Sequence, residues 1–338
     1  MKVSFLNDYS EGGHPKILEQ LSKTNYEQMP SYGEDPLCRR AEIKIKTLLN
    51  NPNANVHFVS GGTQANLLCI SSFLKPFESV IAVKTAHIEI HEAGAIEFTG
   101  HKINTYEGKN GKITPQEIEE AILYHYDEHM VKPKIVFISN STELGTVYTN
   151  SELTQISEVC KKHSLYLYID GARLGSALTS KHNDLSLQDM AKYCDAFYIG
   201  GTKNGALIGE AIVICNPELQ NFFRYHMKQK GALLAKSRLI GAQFDVLFDN
   251  NLYFELASYA NSMAEKLSEG LKLKNIDFLI PPSTNQIFPI MPNKLIEKLE
   301  KQFDFYIWKR YDENNSVVRL VTSWATKPEN VDLFLKSF

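Results

Sequence analysis

From about residue 56 to residue 215, short apolar runs alternate with stretches whose apolar positions recur at helical spacing. The runs occupy 55–59, 79–83, 101–106, 134–138, 165–169, 196–199 and 211–215; helices are predicted between them at 63–73, 114–129, 151–163 and 187–193. Runs that are apolar on both alternating faces belong to strands covered on both sides. Interleaved with helices, they predict an α/β fold with a mostly parallel seven-stranded sheet flanked by helices. Thr114-Pro-Gln-Glu117 carries a Thr cap, a Pro at the first helical position and a Glu three residues on, all helix-start signals; Ser151 begins a second capped helix. The last run begins too soon after Lys203 to allow a crossover helix, so it is expected to be antiparallel.

Beyond residue 237 the pattern changes. One long helical stretch is expected from 242 to 271, then a strand near 287–290, a helix at 294–303, strands at 305–309 and 316–321, and a final helix from Pro328. This predicts a large domain, 1–240, and a smaller C-terminal α/β domain, 241–338, with the N-terminal segment 1–30 contacting the small domain. No linker or repeat separates the two.

In such sheets ligands sit beyond the carboxyl ends of the strands, so the loops at 60–63, 85–87, 139–145, 170–173 and 200–205 are the ones to inspect. Lys203 lies in Tyr198-Ile-Gly-Gly-Thr-Lys-Asn-Gly205, downstream of Tyr168-Ile-Asp-Gly-Ala-Arg173. A Lys among small residues at a strand end, with a strand-capping Asp before it, fits a pyridoxal phosphate site. The amine takes the cofactor aldehyde, and the carboxylate of Asp170 keeps the pyridine nitrogen protonated. Without that partner, Asp170 would turn to Arg173. Ser60-Gly-Gly-Thr-Gln-Ala-Asn66 offers two glycines and a helix capped by Thr63, either a plain capped turn or a phosphate cradle. His87 and His91 are spaced to share a helical face, yet Glu92 follows the second His, which is not the zinc-protease order; a stacking imidazole is the better fit. His125 and His129 share that spacing on a polar helix and are expected at the surface.

Composition narrows the partners. A net charge of −3 supplies no basic face for nucleic acid and no polybasic membrane anchor, and no apolar run reaches membrane length. Five cysteines, none in a Cys-x-x-Cys pair, imply neither a disulfide framework nor a zinc site. A cytoplasmic protein acting on a small molecule is expected. The chain lacks Gly-x-Gly-x-x-Gly after a first strand, which argues against a nicotinamide oxidoreductase.

Tyr32-Gly-Glu-Asp-Pro36, the 60–66 run, Ala86-His87, Glu92-Ala-Gly94, Asp170-Gly-Ala-Arg173 and Lys203, taken in order and spacing, resemble the low-specificity L-threonine aldolase group of fold-type-I pyridoxal phosphate enzymes, within the β-eliminating lyase family. The resemblance implies an aspartate-aminotransferase-like fold and retro-aldol cleavage of L-threonine or L-allo-threonine to glycine and an aldehyde. It implies that Gly62 and Thr63 hold the cofactor phosphate, His87 stacks on the ring, Asp170 meets the pyridine nitrogen and Lys203 carries the cofactor. Arg173 would contact the ring hydroxyl or the substrate carboxylate, and Arg319 the substrate carboxylate. Lys228 falls where a neighbouring subunit sends an Arg to the phosphate, in a homodimer or homotetramer with shared active sites. Asn7 stands where a substrate-contacting Ser is common, Tyr32 lies in a substrate-binding run, and Glu143 replaces a His beside the substrate hydroxyl. The base is thus His87, Glu143 or a water. Aminotransfer, β-elimination and a silent ligand-binding protein on the same fold are the rivals.

Overall fold

The computed structural model describes residues 2–338. Its first strand, β1 (Val3–Ser4), is followed by the strands of the main sheet: β2 (Asn55–Val59), β3 (Glu78–Val83), β4 (Ile103–Tyr106), β5 (Lys132–Ser139), β6 (Tyr166–Asp170), β7 (Ala196–Gly200) and β8 (Glu210–Ile214). They lie in the order β2-β8-β7-β6-β5-β3-β4. β8 runs antiparallel to both its neighbours, as its short connection requires, and the other pairings are parallel. Every residue of β3, β7 and β8 is buried, because helices cover both faces.

This topology gathers the loops of interest on one edge. Ser139 pairs with Asp170, and Glu210 pairs with both Gly200 and Val59. The ends of β2, β5, β6 and β7 and the start of β8 therefore stand side by side.

Five more strands follow: β9 (Gln286–Ile287), β10 (Ile290–Pro292), β11 (Phe303–Asp304), β12 (Tyr306–Arg310) and β13 (Asn315–Val321). β13 pairs with β9, β10 and β12, and β1 pairs in parallel with β11. A second apolar core forms here from Phe5, Leu267, Leu271, Ile287, Leu320, Phe334 and their neighbours. The helix Leu252–Lys272 joins the two cores: Leu252, Tyr253 and Leu256 belong to the first, Ala264, Leu267 and Leu271 to the second. Beyond β1, Asp8 bonds to both Arg173 and Asn285.

Four expected elements differ, the helix expected at 294–303 among them, which ends at Leu299 before Phe303 enters β11. The stretch 242–271 is two helices, Arg238–Leu247 and Leu252–Lys272, interrupted where Asn250 and Asn251 take left-handed φ values of 47° and 65°. Asn tolerates that conformation better than most residues do. The helix begun by the Thr114–Glu117 capping box stops at Tyr124, and the His125 ring bonds back to the Ala121 carbonyl at 2.8 Å, so His125 and His129 share no helical face. The second capping box is built from Thr149 and Glu152, two residues before the expected start.

Candidate active site

The floor of the cleft is the end of β6. Asp170 is 5% exposed and has no cationic partner among the described residues. Its Oδ1 accepts from the Tyr198 hydroxyl at 2.5 Å and from the Ala172 N–H at 3.0 Å, and its Oδ2 accepts from Asn66 Nδ2 at 3.0 Å. Burial, reinforced by the Asp170 charge, holds the Tyr198 phenol well above its ordinary range, so it remains a donor. The chain turns tightly here: a Cβ on Gly171 would stand 1.8 Å from the Tyr198 carbonyl oxygen.

Asn66 comes from the helix Gly62–Phe73, whose start differs from expectation. Its cap residue is Gly61, with no side-chain bond to the helix, and Thr63 lies inside the first turn, exposed. Gln64 instead folds back to accept from the Ser60 N–H and hydroxyl. The first N–H groups of a helix lack intrahelical partners and attract anions. The space above Gly61 is open, while a Cβ on Gly62 would lie 2.7 Å from the Tyr198 hydroxyl. Gly62 thus lets this helix end sit directly beside the Asp170–Tyr198 contact.

Lys203 follows β7 in a loop fastened on both sides. Thr202 Oγ1 accepts from the Gly209 N–H at 3.0 Å, and Asn204 Nδ2 donates to the Tyr253 carbonyl at 2.7 Å. Burial and the nearby Arg173 charge lower the Lys203 pKa, against the opposing pull of Asp8, Asp170 and Glu210. A depressed amine is a better nucleophile at neutral pH. Glu210, at the start of β8, accepts from the Gly201 N–H at 2.7 Å, and its burial raises its pKa to about 7.

The substrate side differs from expectation at Arg173. Its Nε and Nη2 donate to the two oxygens of Asp8 at 2.7 and 3.0 Å, and Asn285 adds a third bond to that carboxylate at 2.9 Å. The two-pronged fork is therefore already occupied from within the chain. Burial favours protonation of Asp8, but Arg173, Lys203 and Asn285 outweigh it and hold the carboxyl below its ordinary value. Arg319, on β13, is the opposite case. It has no ion-pair partner among the described residues, and its buried Nε has no hydrogen-bond acceptor. Its guanidinium lies 5.3 and 5.6 Å from the Tyr306 and Trp308 rings, and burial followed by the Arg173 charge lowers its pKa.

His87 opens a four-residue helix after β3. Its N–H donates to Glu143 Oε1 at 3.0 Å, which also accepts from Ser139 Oγ at 2.6 Å; Glu143 Oε2 is buried without a partner. Burial is the first cause raising the Glu143 pKa. His91 closes the short helix, its ring 5.5 Å from that of His87. Asn7 spends its side-chain oxygen on a local turn, accepting from the Tyr9 N–H and Ser10 Oγ. Tyr9 lies 6.0 Å from Lys203 Nζ. Tyr32 and Lys228 meet each other on an exposed face, 4.5 Å from ammonium to ring centre, and make no hydrogen bond or ion pair with the Lys203 cluster among the described residues.

Sequence reasoning thus named Lys203, Asp170, His87, Gly62 and Arg319 but missed Asp8, Asn66, Glu92, Tyr198 and Glu210 as site residues. Asn66 and Glu92 lie inside runs that carried the family resemblance.

A buried carboxylate without a cation, a depressed lysine and an uncapped helix start facing open space together fit pyridoxal phosphate. The fold and this set define a fold-type-I pyridoxal phosphate enzyme, in which Lys203, Asp170 and the Gly61–Gly62 turn are the groups suited to the cofactor's aldehyde, ring nitrogen and phosphate. The Beta-eliminating lyase profile matches residues 5–293, and the chain belongs to that family. A low specificity L-threonine aldolase of Pseudomonas sp. (strain NCIMB 10558) is 33% identical over 331 residues, covering 97% of this chain and 94% of that protein. A solved structure of Leishmania major threonine aldolase superposes with a TM-score of 0.98 at 48% identity, covering 99% of this chain and 98% of that one. Thermus thermophilus aspartate aminotransferase shares the fold, with a TM-score of 0.74 at 16% identity, covering 100% and 91%.

Proposed function

We propose that this protein cleaves L-threonine and related β-hydroxy-α-amino acids to glycine and an aldehyde, with pyridoxal phosphate carried on Lys203. The observation that carries this reading is Arg319, which has no ion-pair partner among the described residues. It stands close enough to Arg173 and Asp8 to feel their charges, in a chain whose Lys203 feels the same two charges and that of Asp170. Arg173 is neutralised by Asp8, so Arg319 is the cation left to receive a substrate carboxylate.

When bound, the cofactor supplies an electron sink for the bond broken at Cα. The protein selects that bond. Arg319 binds the α-carboxylate by charge-assisted hydrogen bonds and orients Cα–Cβ for cleavage. Asp170 would hold a proton at the ring nitrogen, and Gly62 and Thr63 would offer N–H groups to the phosphate. His87 would lie against the ring, and its Nε2 would accept the β-hydroxyl proton as the aldehyde departs. Glu143 is the less suited base, because its Oε1 is occupied by the Ser139 hydroxyl and the His87 N–H.

Lys228 and Tyr32 are exposed together and make no hydrogen bond or ion pair with this cluster among the described residues. That placement supports a homodimer or homotetramer in which Lys228 serves a neighbour's phosphate. No helix among the described residues is long and apolar enough to cross a membrane, and the reading includes a cytoplasmic location.

The test is borohydride reduction of the coloured protein followed by peptide mass analysis, with product assays on L-threonine and L-allo-threonine. Label on Lys203 with glycine and aldehyde released supports the reading; pyruvate or another keto acid with ammonia replaces it with β-elimination. Alanine formed from pyruvate and an amino donor replaces it with aminotransfer. His87→Asn is expected to lower kcat by ~10²–10⁴-fold, the usual contribution of a positioned proton acceptor.

A further inference from the structure

The five residues after His87 return a carboxylate to it. Ala93 and Gly94 take left-handed φ values of 52° and 74°, and this turn holds the Glu92 side chain with no exposed surface. Few non-glycine residues adopt the conformation seen at Ala93. Glu92 Oε1 receives two contacts: His87 Nδ1 at 2.8 Å and Asn66 Nδ2 at 2.7 Å. Glu92 Oε2 has no partner.

The donors can be assigned by elimination. The Asn66 amide faces two carboxylates, Glu92 and Asp170, so its nitrogen must point at them, one hydrogen to each. Its oxygen accepts from the Tyr168 hydroxyl at 3.1 Å, which is consistent with that orientation. Glu92 Oε1 already accepts from the Asn66 amide, so the proton in the His87 contact with that same oxygen is assigned to Nδ1. In a neutral imidazole the lone pair is then on Nε2. The His87 side chain is 35% exposed although its Nδ1 edge is buried against Glu92, so the exposed edge carries Nε2.

We propose that Glu92 is a positioning residue: with Asn66 it locks His87 in the Nδ1–H tautomer and presents the Nε2 lone pair to the substrate. Asn66 makes this unit continuous with the floor, since the same amide that steadies Glu92 steadies Asp170. One side chain thus ties the carboxylate that steadies His87 to the carboxylate of Asp170. The inference rests on the reading of His87 as proton acceptor.

The test uses protein labelled with 15N-histidine, without cofactor, at a pH where the ring is neutral. The His87 signal is assigned by its loss in His87→Asn. In the wild type the proton is expected on Nδ1. Glu92→Met removes the acceptor: the proton shifts to Nε2 in most molecules, and kcat of the loaded enzyme falls by ~10²-fold, at the low end for a positioned base, with KM within about threefold. Glu92→Gln keeps an oxygen where Oε1 stands, so the tautomer persists and the loss of kcat is the smaller of the two. A wild-type signal with the proton on Nε2 overturns the inference, as does a Glu92→Met enzyme that keeps both tautomer and kcat. If Glu92→Met does not fold, the wild-type spectrum and Glu92→Gln still decide. A protein that forms no glycine fails the aldolase reading, whereas the tautomer is read without substrate or cofactor.

Discussion

At the floor of the cleft Asp170 receives three hydrogen bonds, and Asn66, Tyr168 and Tyr198 are tied into the same network. At the rim Arg319 has aromatic neighbours but no acceptor for its buried Nε, and Glu143 keeps one buried oxygen unpaired. Unsatisfied buried polar groups are costly, and proteins keep few of them. The contrast indicates that the hydrogen bonds around Asp170 are set by folding, though its charge is left without a cation, while the open polar groups of the rim are completed by a molecule that comes and goes. Substitutions in the two regions should therefore separate stability from activity.

The largest stability effect is expected from Asn66→Ala at the floor. It removes two hydrogen bonds to carboxylates, each worth about 1.5–3 kcal/mol, and leaves Glu92 and Asp170 buried without their shared donor. Urea unfolding of the cofactor-free protein should show a loss within the sum of those two values. A loss below about 1 kcal/mol, less than one such bond, would mean that water replaces Asn66 and that the floor is not the more finished region.

Arg319→Leu should do the reverse. Arg319→Leu forfeits the contacts of the guanidinium with Tyr306 and Trp308, about 0.5–1 kcal/mol, and relieves an Nε that has no acceptor, so the urea midpoint is expected to change little. Activity should suffer: losing charge-assisted bonds of about 1.5–3 kcal/mol to a carboxylate lowers kcat/KM roughly 10- to 150-fold. Steady-state kinetics on L-threonine checks this, and a midpoint falling in step with activity would erase the contrast. Glu143→Gln is the milder of the two rim substitutions, because one oxygen is bonded and only the other is free. Gln retains an acceptor for Ser139 and the His87 N–H, so kcat is expected to fall less than about tenfold, below the range for removing a general base. A larger fall would move the base role from His87 to Glu143.

The two regions were also unequally legible in the sequence. Lys203, Asp170 and the Gly61–Gly62 turn announce themselves locally, as small residues and a charge at the ends of apolar runs. Even there, local reading placed the helix cap on Thr63, because it could not show that Gln64 would reach back to Ser60. The pairing of Arg173 with Asp8 crosses 165 positions and depends on β1 docking beside β11, which no local pattern reports. Glu210 looked like one polar residue before an apolar strand; its meaning comes from the antiparallel register that sets it opposite Gly200. The break at Asn250 and Asn251 was hidden because helical periodicity continues on both sides of it.

The subtlest expected difference between the regions is in how pH acts on stability. At the floor, Glu210 has a folded-state pKa of about 7 against an ordinary 4.5, so between those values the folded chain binds more protons than the unfolded one. Its contribution is fully present below about 4.5 and is lost as pH rises through about 7. On the rim side, Asp8 is held below its ordinary 3.8 despite burial, through Arg173, Lys203 and Asn285. Its contribution is present above 3.8 and is lost as pH falls through its lower folded value. Urea unfolding of the cofactor-free protein from acid to neutral pH should therefore show two opposed slopes with separate origins. Glu210→Gln should flatten the decline between about pH 4.5 and 7 and leave the acid limb unchanged, whereas Asp8→Asn should reduce the acid limb and leave the decline in place. If Glu210→Gln left the neutral decline intact, the buried carboxyl beneath the Lys203 loop would already be ionised without penalty, with a compensating cation close to it. Lys203 is the cation that acts on it, so that result would place the lysine charge on Glu210 before the cofactor arrives, making the floor less finished than its hydrogen bonds suggest.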